Sequence, residues 1–388
     1  MIIYNKTWLR NLLLVELVEK EHQDGQITDT EFRNIKAKYP VGFYSPNIFI
    51  RTGLFLLTLV ISLFSGGFLS MILMSEMVPS YGWLLFLGTL NYIVLEVMVQ
   101  KNFHYRSGVD DALLWISSGF WVGAFILAIS SNYADNYIAI SAFIFLLSLF
   151  LSIRFADMLM SLAAYLSCFS LVFFAWQKLG VLGTATMPFL LMIFSGIIYW
   201  LVKRNINNPK TAFYANTITI LQIASLLTLY IAGNYFIVKE LGDMLSGFTS
   251  QSVPFGWFFW ALTIAIPFIY IAFGVKQKDV ILLRTGLILI TVAAITFKTY
   301  YHLIPIELTL IICGLSALGV SYFLTKYLRT PKYGFTYQEL SHDNLMDQLK
   351  IESLIISESF AETTAPQVDK GTSFGGGQFG GGGASSNY

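Results

Sequence analysis

Ten long apolar runs dominate the sequence and leave it few ways to fold. They cover about 52–74, 83–100, 112–131, 137–153, 158–176, 183–202, 213–237, 256–275, 280–298 and 303–325, each near the roughly 20 residues a helix needs to cross about 30 Å of hydrocarbon. In water these runs would need a charged coat. Only 12% of the chain is Asp, Glu, Lys or Arg, against 55% hydrophobic, and a water-soluble domain usually carries about 25% charged residues. The solvent of this chain is therefore a bilayer. Lipid offers no partner to a bare backbone, and the runs lack the dyad alternation of a membrane barrel, so the spans are helices. The expected fold is all-α, a polytopic membrane helical bundle of about ten transmembrane helices. A net charge of +1 provides no basic field for nucleic acid. Cys168 and Cys313 each sit inside an apolar run and read as small buried hydrophobes, with no metal site or disulfide implied.

Orientation follows from the basic residues. With the N-terminus inside, every Lys and Arg except Lys178, Lys239 and Lys298 falls on the inner side. Both termini are then expected in the cytoplasm, with the chain in a bacterial inner membrane. The charged, polar stretch before residue 52 predicts that the first run stays as a span rather than serving as a cleaved signal. Short loops imply antiparallel hairpins. The outward segment 238–255 is longer and reads either as an interfacial cap or as a loose loop.

Residues 1–49 are expected to form a cytoplasmic helical hairpin, 50–328 the membrane domain, 329–359 a cytoplasmic amphipathic helix, and 360–388 a disordered Gly-rich tail. In the hairpin, Trp8, Leu12, Val15 and Val18 share one helix face. Asp24-Gly25 makes a turn, Thr28 and Glu31 have capping-box spacing, and Tyr39-Pro40 ends the second helix. The run GQITDTEFRNIKAK, with Leu14, Leu17, Gly25, Ile27, Thr28, Glu31, Phe32 and Lys36, resembles the SHOCT module. That resemblance implies oligomerisation or docking and no catalytic residues; a plain amphipathic anchor on the membrane surface is the alternative. The ending GGGQFGGGGASSNY, with Phe374, Phe379, Ala384, Ser385 and Tyr388, resembles the tail of membrane-anchored TPM-domain proteins, which implies a shared docking or processing signal.

Ionisable groups inside spans are costly and so mark candidate sites. Glu96 and Arg284 lie at equal depth and suggest an ion pair, or else two side chains that snorkel to the interface. Lys298 and His302 are spaced i, i+4, and Pro305 turns the chain so that Glu307 comes back toward them. Such a cluster suits proton coupling or anion binding; headgroup-level anchoring is the alternative. The segment LFSGGFL, with Gly66 and Gly67, echoes IFSGIIY, with Gly196. Ten spans split five and five have inverted topology, which would place these glycines at a midplane site; chance similarity and close helix packing are the alternatives. No hydrolase, zinc-protease, P-loop or dithiol motif is present, and no cofactor is expected.

The stretches KTYYHLIPIELTL and TKYLRTPKYGFTYQEL, Lys298 through Glu307 to Pro331 and Phe335, resemble an uncharacterised family of multi-spanning membrane proteins of Bacteroidota. That resemblance implies a fold and an inner-membrane location, not a mechanism. The expected function is a non-enzymatic scaffold whose partners, besides the lipid bilayer, are proteins docking on 1–45 and 371–388, with an oligomer allowed and nucleic acid excluded. The alternative is a secondary transporter of small molecules with five-plus-five inverted repeats.

Overall fold

The computed structural model describes residues 2–23, 27–73, 80–129, 136–206, 208–246, 253–300 and eight positions between 311 and 326. The chain divides into two compact units, Met1–Ser341 and His342–Tyr388; the second lies outside the described residues. Also outside them are the Asp24-Gly25 turn, most of the expected tenth span, His302, Pro305, Glu307, the expected 342–358 helix and the Gly-rich tail.

Among the described residues the fold is all-helical. Two helices precede the bundle, α1 (Lys6–Gln23) and α2 (Asp29–Lys38). The remainder are α3 (Ile48–Leu73), α4 (Tyr81–Lys101), α5 (Val109–Ile129), α6 (Tyr137–Phe155), α7 (Met158–Gln177), α8 (Val181–Asn205), α9 (Ala215–Gly233), α10 (Tyr235–Ser246), α11 (Gly256–Gln277) and α12 (Val280–Tyr300). Apart from α1, α2 and α10, these nine are long and apolar enough to cross a membrane, and they match the first nine expected spans.

Two boundaries differ from expectation for identifiable reasons. The 213–237 run is not one span: α9 ends at Gly233, and Asn234 adopts an extended backbone. The Asn234 side chain then accepts from the N–H groups of Phe236 and Ile237, starting α10 inside the segment expected to be a cap or a loop. At the other end of the bundle, α3 begins four residues before its apolar run because Asn47 accepts from Ile50 N–H and supports a polar first turn.

Packing is dominated by four antiparallel hairpins, α4 on α5, α6 on α7, α8 on α9 and α11 on α12. Small residues allow the close approach, as in other membrane bundles. A Cβ on Gly286 would lie 3.0 Å from the Pro267 carbonyl oxygen, and one on Gly274 would lie 2.7 Å from Leu283 N, so α11 and α12 touch backbone to backbone. The first core cluster combines Leu95, Leu113, Leu151 and Met160 with Tyr4 and Leu9 of the N-terminal segment. Thus the N-terminal segment and α1 pack on the bundle, and Ile3 N–H donates to the Arg154 carbonyl at 3.0 Å. The second cluster joins α9, α11 and α12 through Leu226, Tyr230, Ile266 and Leu289. In contrast, α3 is peripheral: 6% of its apolar window is buried, against 50% for α9.

Candidate functional site

The turns α4–α5, α6–α7, α8–α9 and α11–α12 gather on one side of the bundle, together with α1. Tyr214 donates to the Ile153 carbonyl at 2.8 Å. Ser161 reaches Thr217 at 3.2 Å, and the Asn216 amide oxygen faces Arg106, accepting from Nη1 at 2.9 Å and also from Nη2. Much of this near face carries a charge pattern. Helices α4, α6, α8 and α11 end there with Lys101, Arg154, Lys203 or Lys276 in the last turn, and α5, α7 and α12 begin there with Asp110 and Asp111, Asp157 or Asp279. These signs suit the macrodipole ends they occupy, whereas α9 begins without an acid and α3 carries Arg51 in its first turn. Two of the turns are built alike. Arg154-Phe155-Ala156-Asp157 and Lys276-Gln277-Lys278-Asp279 each place a left-handed residue, Ala156 at φ 50° and Lys278 at φ 55°, immediately before an Asp that caps the next helix.

Ion pairs then tie neighbouring hairpins together. Arg51 of α3 meets Asp111 of α5 at 2.7 Å, Glu96 of α4 meets Arg154 of α6 at 2.6 Å, and Lys203 of α8 meets Asp279 before α12 at 3.2 Å. The other Glu96 oxygen accepts from Gln100. Glu96 is therefore paired, but its partner is Arg154 rather than the expected Arg284, which lies in the first turns of α12. The sequence did not reveal this lateral neighbour. Asp279 also accepts from Gln222 Nε2 at 3.1 Å, and Lys203 contacts Gln277 and the Tyr199 hydroxyl. Gln222 is fully buried, and its Oε1 has no hydrogen-bond partner.

The α4–α5 loop is the most constrained part of this face. Phe103 and Arg106 adopt φ 55° and 49°, Gly108 adopts φ 91°, and a Cβ on Gly108 would sit 2.1 Å from the Arg51 carbonyl oxygen. Buried Asp110 holds the strained backbone by accepting from Arg106 N–H and Ser107 N–H at 2.8 Å each. Ser107 donates its single proton to Asp110 at 2.9 Å, so His104 Nδ1, 2.7 Å from the same hydroxyl, must be the donor to it. Although His, Ser and Asp stand in series, Ser107 is fully buried and cannot meet a substrate. The set braces the loop.

Outside the spans, burial sets the acid–base behaviour of this face. Burial pushes the Asp157 carboxyl up and nearby Asp110 adds to this, while the Met160 N–H, Arg106 and Arg51 pull it down. Burial also raises the Tyr4 phenol well above its ordinary value, reinforced by Asp110, and it raises Tyr105.

Deeper in the bundle, α9 carries a buried polar set absent from the sequence expectations. The Thr228 hydroxyl contacts both the Tyr165 hydroxyl and Ser195 Oγ, the latter at 2.9 Å. Further along, Asn234 donates to the Tyr230 hydroxyl at 3.0 Å and to Thr296 at 3.1 Å. One signal could have found this helix: its mean hydropathy, 1.5, is the lowest of the nine.

The remaining expected residues do not converge. A Cβ on Gly66 would lie 3.6 Å from Leu87, one on Gly67 would meet nothing within 4 Å, and one on Gly196 would lie 3.9 Å from Leu229. Gly66 and Gly67 lie on α3, which packs on α5, whereas Gly196 lies on α8, which packs on α9 and α7. Lys298 lies in the last turn of α12; its expected companions His302 and Glu307 are outside the described residues. Among the described residues no group of three or more His, Cys, Asp or Glu is placed to hold a metal ion.

Helices of this length and composition, stacked as hairpins with apolar outer surfaces, define a multi-pass helical membrane protein. No protein-family model, curated protein or solved structure matches the chain.

Proposed function

We propose that the chain is a non-enzymatic scaffold of the bacterial inner membrane, with ten spans, both termini in the cytoplasm, and protein partners that dock on its helical hairpin. One observation carries this reading. Helix α1 and the segment before it are fixed to the bundle through Leu9 and Tyr4, whereas α2 has no buried residue. A closed capping box at Thr28 and Glu31, and the His22–Asp29 contact at 2.7 Å, hold α2 in shape against α1. A rigidly mounted, solvent-exposed helix is what a docking element requires, because little ordering entropy is then lost on binding. The test is site-specific photocrosslinking in cells from Arg33 or Asn34, both exposed on α2. A discrete adduct that disappears when α2 is scrambled supports the reading. Crosslinks to lipid alone remove it.

A transporter is the second reading, favoured by the polarity of α9. Gln222, Ser225 and Thr228 are buried within its spanning length, and buried polar side chains commonly mark ion or substrate paths. This version does not rest on Gly66, Gly67 and Gly196. It requires water access along α9. A Ser225→Cys protein that water-soluble maleimide reaches from neither side of the membrane eliminates it.

A further inference from the structure

Two buried polar atoms in the contact between α9 and α12 have no hydrogen-bond partner, Gln222 Oε1 and Thr285 Oγ1. Gln222 is 0% exposed and Thr285 2%. Both lie on the surfaces through which these two helices pack. Gln222 is one turn before Leu226, and Thr285 falls between Leu282 and Leu289; the three leucines share one core cluster. The Gln222 amide has a fixed orientation, because its Nε2 donates to Asp279 Oδ2 at 3.1 Å. Turning it over would set Oε1 against the carboxylate. The neighbouring donors are already engaged. Lys203 directs its three protons to Tyr199, Gln277 and Asp279, and the Tyr270 hydroxyl donates to the Leu226 carbonyl at 3.1 Å. Thr228, Thr263 and Thr296 each donate to a carbonyl one turn back in their own helix, whereas the Thr285 hydroxyl does not.

A polar atom buried without a partner is strongly unfavourable, and protein interiors ordinarily meet such groups with ordered water. We propose that the α9–α12 contact holds ordered water beside the Lys203–Asp279 pair, donating to Gln222 Oε1 and hydrogen-bonded to the Thr285 hydroxyl. Water has the chemistry this contact asks for: its protons serve an amide oxygen that can only accept, and its lone pairs take the hydroxyl proton. A charged ligand is not called for, since Asp279 and Lys203 already neutralise one another. By filling the amide's acceptor, the water keeps the amide's donor on Asp279 and so steadies the ion pair from within the bundle. The inference goes beyond both functional readings. A transporter would use this water as the near-side end of a path along α9. Water held here, with Ser225→Cys unreachable from either side, would leave the inference standing and remove transport.

The test uses the full-length protein in detergent. Radiolytic hydroxyl labelling, read by mass spectrometry, reports side chains that lie beside held water. Leu226 and Leu282, 1% and 3% exposed, are expected to be labelled faster than Leu95 and Leu151, both 0% exposed. Threonine and valine have nearly the same shape, so Thr285→Val separates a wet contact from a dry one by the sign of its effect. Removing an unpaired hydroxyl from a dry contact would raise the apparent Tm. Removing one that is bonded to water is expected to lower it, by about 2 °C or more. Labelling of Leu226 and Leu282 no faster than that of Leu95 and Leu151 overturns the proposal, and so does an unchanged or higher Tm for Thr285→Val. Should Thr285→Val not fold, the labelling of the wild type decides alone.

Discussion

Asp157 shows how single residues set the properties of the near face. Its carboxylate caps α7 by accepting from Met160 N–H at 2.7 Å, so Asp157→Ala should cost about 0.5–2 kcal/mol, the usual value of an N-cap. Its carboxyl is raised by burial. Between the ordinary Asp value, about 3.9, and that raised value, the folded state binds more protons than the unfolded one, so stability falls as pH rises through this window. Asp157→Asn keeps the cap acceptor but cannot titrate; thermal unfolding across pH should show the wild type losing stability, relative to this variant, as pH climbs above about 4. The Glu96–Arg154 pair, with side chains 18% and 30% exposed, lies between surface and buried regimes. A double-mutant cycle of Glu96→Gln and Arg154→Gln should return a coupling of about 1–2 kcal/mol, and a value near zero would mean that solvent screens the contact. This pair also marks the limit of what the sequence reveals at this scale. Position along a helix gives depth, which is why Glu96 stood out as an intramembrane acid. Azimuth depends on how α4, α5 and α6 pack, so Arg154 was counted as a loop charge although it lies in the last turn of α6.

At the scale of elements, the near-face turns are the most constrained segments. Ala156 occupies a left-handed position at φ 50° that suits glycine better, so Ala156→Gly should raise stability by up to about 1 kcal/mol. Gly108→Ala should act oppositely and strongly, by roughly 3 kcal/mol or more, because positive φ and the Arg51 carbonyl both exclude a Cβ. Chemical denaturation of the two variants in one detergent should give opposite shifts; equal shifts would mean that the turn geometry does not govern stability. Apolar length was legible here, since nine helices fall where nine runs predict them. The α6–α7 and α11–α12 turns were not legible as a repeated motif, because their left-handed residues are Ala156 and Lys278 rather than glycine. The α9–α10 break was hidden for a related reason. A single Asn234 among apolar neighbours reads as a tolerated polar residue until its side chain is seen starting a new helix.

For the molecule as a whole, the repeat visible in space differs from the echo visible in sequence. Hairpins α4–α5 and α6–α7 are followed by α8–α9 and α11–α12, and in both pairs the first helix runs toward the near face and the second away from it. The two halves of this arrangement therefore run parallel, whereas the LFSGGFL and IFSGIIY segments lie on helices of opposite direction and in separate contacts. A direct test of orientation is accessibility of single cysteines in intact cells. Asn34→Cys on α2 should resist an impermeant maleimide, and Lys239→Cys on α10 should react; the reverse pattern would invert the assignment. The bond from Ile3 to the carbonyl of Arg154 also bears on how the protein is made. The segment that leads into α1 is synthesised before α6, yet part of its seat is the end of α6, about 150 residues later, or on the order of ten seconds at ordinary translation rates. Until then only the part of the seat on α2, α4 and α5, with Leu95 and Leu113, is available, so a chain cut before the fourth span would hold its N-terminal segment by an incomplete contact.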